Sequence, residues 1–197
     1  ERCGDREIGR WRDGETGMLL REFLKIVQVP VVLDADGIYP LNSGDVELVH
    51  SRGMRIITPH PGELSRFRGI PTAAIQQDRL GQALATAKEN GITVVLKGAM
   101  TVIAEPSGAV SINSTGNPAM ASGGMGDVLT GVLGALLAQG LSLQASARLG
   151  VFVHGLAADR LVARTGAMAL MASQVSEELT GAFAQLKTWR LRKTCCR

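Results

Sequence analysis

The chain has 197 residues, of which 45% are apolar, 20% charged and 4% aromatic, with 24 glycines. That is enough apolar material for a sizeable core, and it excludes both global disorder and an aromatic stacking platform for nucleic acid. The formal charge of +3 sits at the end of the chain: without Lys187, Arg190, Arg192, Lys193 and Arg197, 16 basic residues face 18 acidic ones, too weak a balance for a phosphate-backbone footprint. The three cysteines, Cys3, Cys195 and Cys196, have no metal-ligand spacing and are too few for a disulfide framework, which points to a reducing, cytoplasmic setting and to no bound zinc or iron. The most apolar stretch, Val128 to Ala138, is short and broken by Thr130, Gly131 and Gly134, so no membrane span is expected. The first residues mix acids and bases and carry no apolar signal segment.

From Gly14 onward, strand-like and helix-like segments alternate, predicting an α/β fold with a mostly parallel central sheet flanked by helices. Leu19, Leu20, Phe23, Leu24 and Val27 give one helix an apolar face ahead of the strand-like run Val29 to Leu33. That run ends in Asp34-Ala35-Asp36-Gly37, and a second strand, Arg55 to Thr58, ends in Thr58-Pro59-His60-Pro61-Gly62-Glu63. Thr72 is placed to cap a helix through Ile75, Leu80, Leu84 and Ala87, with Asn90-Gly91 as its stop. Three short β segments follow, Thr93 to Leu96, Thr101 to Ala104 and Val110 to Ile112, joined closely enough for hairpins. The remainder reads as helix: Asp127 to Gln139, Leu143 to about Arg164, and Ala172 to Leu186 with Val175, Leu179, Phe183 and Leu186 on one face. Without repeat or linker, residues 1 to 197 read as one domain, with atypical ends at 1 to 13 and 187 to 197, the latter without helical or strand periodicity.

The chemistry concentrates in Thr115-Gly116-Asn117-Pro118-Ala119-Met120-Ala121-Ser122-Gly123-Gly124-Met125-Gly126-Asp127, which runs into an apolar helix. Consecutive glycines can turn several N–H groups into one concavity, and the helix start adds its dipole and free amides, which suits phosphate. Asp127 is then the carboxylate placed to take a proton from an attacking hydroxyl. Helix capping and close packing explain the same residues as cheaply. Neither the Walker nor the dinucleotide glycine pattern is satisfied, because Leu129 stands where a third glycine would be needed.

The strings VVLDADGIYPL, IITPHPGELSRF, VVLKGAMTVIAEPSG, STGNPAMASGGMGDVLTGVLGALLAQG and VFVHGLAADRL together resemble the ADP- or ATP-dependent NAD(P)H-hydrate dehydratases of the ribokinase-like superfamily, over roughly Gly14 to Gln174. The resemblance implies conversion of hydrated NADH or NADPH to NADH or NADPH, driven by phosphoryl transfer from ADP or ATP, with Mg²⁺ expected beside the donor. It implies Asp127 as catalytic base and substrate contact, His60 as a further substrate contact, and Lys97, Gly98, Ala99, Met100, Thr101 and Gly126 as nucleotide-binding residues. Read alone, Lys97 fits a solvated surface charge and His60 a rigid turn between two prolines. Asp34 and Asp36 suit either Mg²⁺ or turn capping, and Asn117 fits the family pattern. His154 and Asp159 match a helical His-Gly-x-x-x-Asp, in which a buried structural histidine or a subunit contact is favoured over catalysis. Met120, Met125 and Met168 read as packing residues. A small-molecule kinase of the same superfamily and a nucleotide-binding remnant without turnover are the alternatives. Relatives begin with strands and a Gly-Pro-Gly-x-Gly turn that find no match in Asp5 to Arg12. The sheet is therefore expected to lack amino-terminal strands, leaving an edge for pairing with a second copy.

Overall fold

The computed structural model describes residues 14–43, 45 and 55–194, with side chains through 187. In chain order the elements are α1 (Glu15–Ile26), β1 (Val31–Leu33), β2 (Arg55–Ile57), α2 (Pro61–Arg68), α3 (Thr72–Gln77), α4 (Arg79–Asn90), β3 (Thr93–Leu96), β4 (Val102–Ala104), β5 (Val110–Ile112), α5 (Met125–Ala138), α6 (Leu143–Thr165) and α7 (Ala172–Thr194). Short 3₁₀ turns occupy Ala35–Gly37 and Pro118–Met120. The five strands lie side by side in sequence order. β1, β2 and β3 are parallel, whereas β4 and β5 return antiparallel as the expected hairpins, so the sheet is mixed.

Strand alternation divides the core. Leu33, Ile57, Val94, Leu96, Val102 and Ala104 point to one face, where Leu24, Leu64, Phe67, Ile75, Ala83 and Ala87 of α1 to α4 cover them. Ile56, Val95 and Ile103 point to the other, against Leu129, Leu133 and Leu137 of α5 and Leu143, Ala147 and Val151 of α6. A third cluster joins α6 to α7 through Val153, Ala157, Leu161, Val175 and Ala182, with Leu179, Phe183 and Leu186 packed alongside. The result is a helix–sheet–helix sandwich with α7 as an outer layer.

Several expectations change in detail. The predicted helix from Thr72 is two: Pro71 precedes α3 without a side-chain cap, and the chain breaks at Asp78, whose carboxylate accepts from Gly81 N and caps α4. Gly91 closes α4 in the left-handed conformation, as expected. On α1 only part of the apolar face is used. Leu24 is fully buried and Leu20 and Val27 pack beside it, but Leu19 is 71% exposed and Phe23 45%. The end of the chain also departs from its expected irregularity, because α7 continues to Thr194. No proline or glycine interrupts residues 187 to 194, and Leu, Lys and Arg favour helix there. Met168 is 96% exposed in the connection before α7 and packs against nothing, unlike Met125, which is buried. The unmatched residues 5 to 12 lie outside the described residues; among those described, β1 and β5 are the two edge strands of the sheet.

Candidate active site

Three parallel strands deliver their carboxyl ends to one edge of the sheet, the place where an α/β sheet opens to ligand. Asp34 directly follows β1, Thr58 follows β2 and Lys97 follows β3. Lys97 Nζ stands 2.6 Å from Asp34 Oδ1 and 3.7 Å from Glu63 Oε2. Thr130 Oγ1, one turn along α5 from Asp127, donates to Asp34 Oδ2 at 3.1 Å. Burial by itself would raise the Asp34 carboxyl; hydrogen bonds from Lys97, Thr58 and Thr130 and the Lys97 charge outweigh it and hold the group below its ordinary value. Lys97 is thus tethered, with 22% of its side chain exposed, and is not the solvated surface charge that its isolated context suggests.

Beside this pair lies a cavity of about 540 Å³. The whole Lys97 to Thr101 turn lines it, together with residues 113 to 118, Met120, Met125, Gly126, Leu129, Val151, His154 and Gly155. The turn is held by Arg79 of α4, whose guanidinium donates to the carbonyls of Ala99, Leu96 (3.2 Å) and Lys97 (3.3 Å). Lys97 N also donates to Pro59 O at 2.8 Å. Met100 has φ 54° and Ala35 φ 43°, the two non-glycine residues with positive φ among the described residues. One borders the cavity and the other the adjoining cleft, and such backbone persists only where the surroundings impose it.

α5 starts on Gly124, with φ 83° and no side-chain cap. The first-turn amides of Met125, Gly126 and Asp127 therefore have no acceptor within the helix and can serve an external anion. Room at Gly126 is tight: a Cβ there would lie 3.1 Å from Asp34 Oδ2 and 3.4 Å from Lys97 Nζ. Gly126 thus stands where the positive Lys97 head and the free amides converge.

A second cleft, about 410 Å³, is lined by Val32, Leu33, Asp34, Ala35, Gly37, Asp127 and Thr130. Asp127 lies in the first turn of α5, exposed to this cleft, and its carboxylate makes no hydrogen bond among the described residues. Its lone pairs are free to accept a proton. The structure therefore sets the six predicted nucleotide residues around one cavity and the predicted base in the adjoining cleft. His60 lines neither space. Its Nδ1 accepts from Gly62 N (3.0 Å) and Glu63 N (3.2 Å), while the Glu63 carboxylate accepts from His60 N (2.7 Å), a reciprocal cap on α2. Asp36 also lies apart from both spaces, exposed on its 3₁₀ turn.

Asp159 of α6 fixes the far wall, accepting from Gly116 N (2.9 Å) and Asn117 Nδ2 (2.8 Å). His154, five residues earlier, is only 7% exposed. Burial pushes its imidazole down to about 4, so it is neutral, and its Nε2 has no hydrogen-bond partner. Arg79 and Thr130 carry no signature of their own in the sequence. Thr130 is legible only as the residue three positions beyond Asp127 on α5, and Arg79 reaches the turn across the tertiary fold.

The architecture is of the ribokinase-like class. A ribokinase-like superfamily protein from Enterococcus faecalis superposes with a TM-score of 0.68 at 28% identity, over 83% of this chain and 58% of that one. The chain belongs to the NAD(P)H-hydrate dehydratase family, whose sequence model matches residues 9–181. It is similar to the bifunctional NAD(P)H-hydrate repair enzyme Nnr of Moorella thermoacetica, with 45% identity over 171 residues, 87% of this chain and 32% of that protein. It is also similar to the ADP/ATP-dependent NAD(P)H-hydrate dehydratase from Bacillus subtilis co-crystallized with ATP/Mg²⁺, with a TM-score of 0.76 and 31% identity over 87% of this chain and 60% of that one. The chain thus spans about a third of the first relative and three fifths of the second.

Magnesium is the ion that phosphoryl transfer implies. Asp34 already holds Lys97 on one oxygen and Thr130 on the other, and no group of three or more His, Cys, Asp or Glu suited to a metal occurs among the described residues. These residues do not form a protein-held metal site.

Proposed function

We propose that this chain carries the dehydratase reaction of its family: ADP or ATP phosphorylates the hydroxyl of hydrated NADH or NADPH, and loss of inorganic phosphate restores the reduced dinucleotide. The observation that carries the reading is the convergence at Gly126 of free helix amides and the Lys97 head, with Asp127 in the adjoining cleft. The nucleotide lies in the 540 Å³ cavity, a size suited to a small organic ligand and lined by no carboxylate. Its terminal phosphoryl group meets the amides of Met125 to Asp127 and the ammonium of Lys97, which offset the charge of the transferring group.

The hydrate enters the cleft lined by Asp34 and Asp127. Asp127 accepts the proton of the attacking hydroxyl as its oxygen bonds to phosphorus, and the bond from phosphorus to the donor's bridging oxygen breaks, releasing AMP or ADP. The ring C–O bond then breaks with departure of inorganic phosphate, and a proton leaves the neighbouring ring carbon as the double bond reforms. His60, which caps α2 and lines neither space, is a substrate contact in this reading only as the family resemblance implies. A cytoplasmic setting is supported by the small number of cysteines. Pairing with a second copy is supported by the exposed Met18, Leu19, Phe23, Ile26 and Val29 of α1 and the segment after it.

The test is recovery of reduced-nicotinamide absorbance from hydrated NADH with ADP or ATP. Stoichiometric NADH and phosphate support the dehydratase. A phosphorylated product that accumulates without NADH indicates a kinase. ADP-dependent thermal stabilisation without turnover indicates a binding remnant.

A further inference from the structure

Residues 121–124 lead the chain into the α5 amides, and little holds them in place. Ala121 N donates to Pro118 O and Ser122 N to Met120 O, both local contacts. Among the described residues, one hydrogen bond ties these four residues to another part of the fold: Ser122 Oγ donates to the carbonyl of Leu170 at 2.7 Å. Just upstream, Leu170 N donates to Ala119 O at 2.9 Å, so Leu170 grips this loop at two points.

Leu170 is a fixed partner. It lies 3% exposed in the core cluster between α6 and α7, on the connection 166–171 that joins them. Gly166 ends α6, and Met171 N donates to Gln174 Oε1 at 2.8 Å where α7 begins. Behind the connection, buried Glu178 of α7 accepts from Arg160 at 2.7 Å and Arg164 at 2.8 Å on α6. A Cβ at Gly124 would lie 3.1 Å from Ala172 Cβ, so the loop also runs close against the start of α7. Gly123 and Gly124, by contrast, bring wide backbone freedom immediately before the amides that have to point at one spot.

Resting on the phosphoryl-transfer reading above, we propose that Ser122 is a positioning residue for the reaction: its hydroxyl, fastened to Leu170, fixes the loop and so aims the Met125 to Asp127 amides at the transferring phosphoryl group. Its proton is committed to Leu170, so it acts through the backbone and not on the substrate. Preorganised donors matter most where charge develops in the transition state, whereas the resting nucleotide is also held by Lys97 and the cavity. Loosening the loop therefore costs rate more than donor affinity.

The experiment compares the whole chain with Ser122→Ala and Ser122→Thr. Three quantities are read: the single-turnover rate of NADH recovery from hydrated NADH and ADP, the ADP Kd by calorimetry, and the Kd of orthovanadate, a mimic of the transferring phosphoryl group, in the presence of AMP. In Ser122→Ala the rate should fall at least about tenfold and orthovanadate binding should weaken comparably, with the ADP Kd within about twofold of the parent and the thermal midpoint unchanged. Ser122→Thr keeps the hydroxyl and should return both to near the parent values. Parent-like rate and orthovanadate binding in Ser122→Ala overturn the proposal. Equal weakening of ADP and orthovanadate, or a threonine variant no better than the alanine one, overturns it as well and marks a packing role. If the parent recovers no NADH, the dehydratase reading fails and the orthovanadate series alone decides: weakening in Ser122→Ala with recovery in Ser122→Thr supports the tether, and equal affinity across the three overturns it. A parent that binds neither ADP nor orthovanadate overturns both.

Discussion

Lys97 Nζ lies 2.6 Å from Asp34 Oδ1, so the cation that would meet a phosphoryl donor is already held by a carboxylate two strand-ends away along the sheet edge. The pairing aims a flexible side chain and limits the rotamer freedom that binding would have to remove.

Replacing Lys97 with Met keeps the stem and removes the charge. The expected outcome is at least a tenfold loss of ADP affinity by calorimetry. Stability at neutral pH should also fall by roughly 1–3 kcal/mol, because Asp34 keeps its charge in a half-buried place. Asp34 has a lowered folded-state value in the parent, so its favourable pairing is present above about pH 4 and is lost as the pH falls further. The parent and Lys97→Met should accordingly converge in denaturant unfolding as the pH falls below the ordinary carboxylate range. A difference in stability that is constant across pH would refute the pairing.

Asp127→Asn removes the proton acceptor but keeps its shape. Turnover should drop about 10²–10⁴-fold with the ADP Kd unchanged within about twofold. Single-turnover rates and calorimetry on the same preparation check this, and parent-like turnover would discard the base assignment.

Gly126→Ala separates site from fold. Alanine is the better helix former, so stability should hold or rise slightly. Its methyl would press on Asp34 Oδ2 and Lys97 Nζ, so ADP binding should weaken several-fold. Thermal unfolding with and without ADP reads both effects, and undiminished ADP stabilisation would count against convergence at this residue.

Arg79 acts at a distance from the ligand by holding three carbonyls of the Leu96 to Ala99 segment. Arg79→Met should raise KM for ADP more than it lowers kcat, since the turn loses its preferred shape but Asp127 is untouched. A fall confined to kcat would point to another role.

His154 gives the protein an acid limb. Its folded-state value near 4 lies below the ordinary 6.5, so the unfolded chain binds the proton first as pH falls. Stability should therefore decline between about pH 6.5 and pH 4, by roughly 3 kcal/mol if the shift is fully expressed. His154→Gln should flatten that limb in urea titrations, and an unchanged slope would show that the imidazole is charged within the fold.

Much of this was legible before the structure. Continuous apolar runs in Arg55–Ile57 and Thr93–Leu96, polar groups at each strand's end and glycines before an apolar helix are local signals, and they located the sheet edge and the α5 mouth. The break at Asp78 was hidden because a single apolar period runs through Ile75, Leu80 and Leu84, and the capping carboxylate competes with it only once the chain turns. Lys97 looked like a surface charge because its partner Asp34 is 63 residues away, brought close only by parallel pairing through β2. Arg79 was invisible for the same reason. Half of the α1 face stayed exposed because amphipathicity records which side is apolar, not how much of it finds a partner.

The long helix α6 places three dependencies on one rod. A side chain at Gly150 would meet Leu133 of α5 at 2.6 Å, one at Gly155 would meet Thr115 at 2.4 Å, and Asp159 grips Gly116 and Asn117. Each added or deleted residue turns an α-helix by about 100°, which would swing all three contacts off their neighbours together. Point changes along the solvent side of this segment should be absorbed readily, while a one-residue insertion between Gly150 and Asp159 should dismantle both walls of the cavity at a stroke.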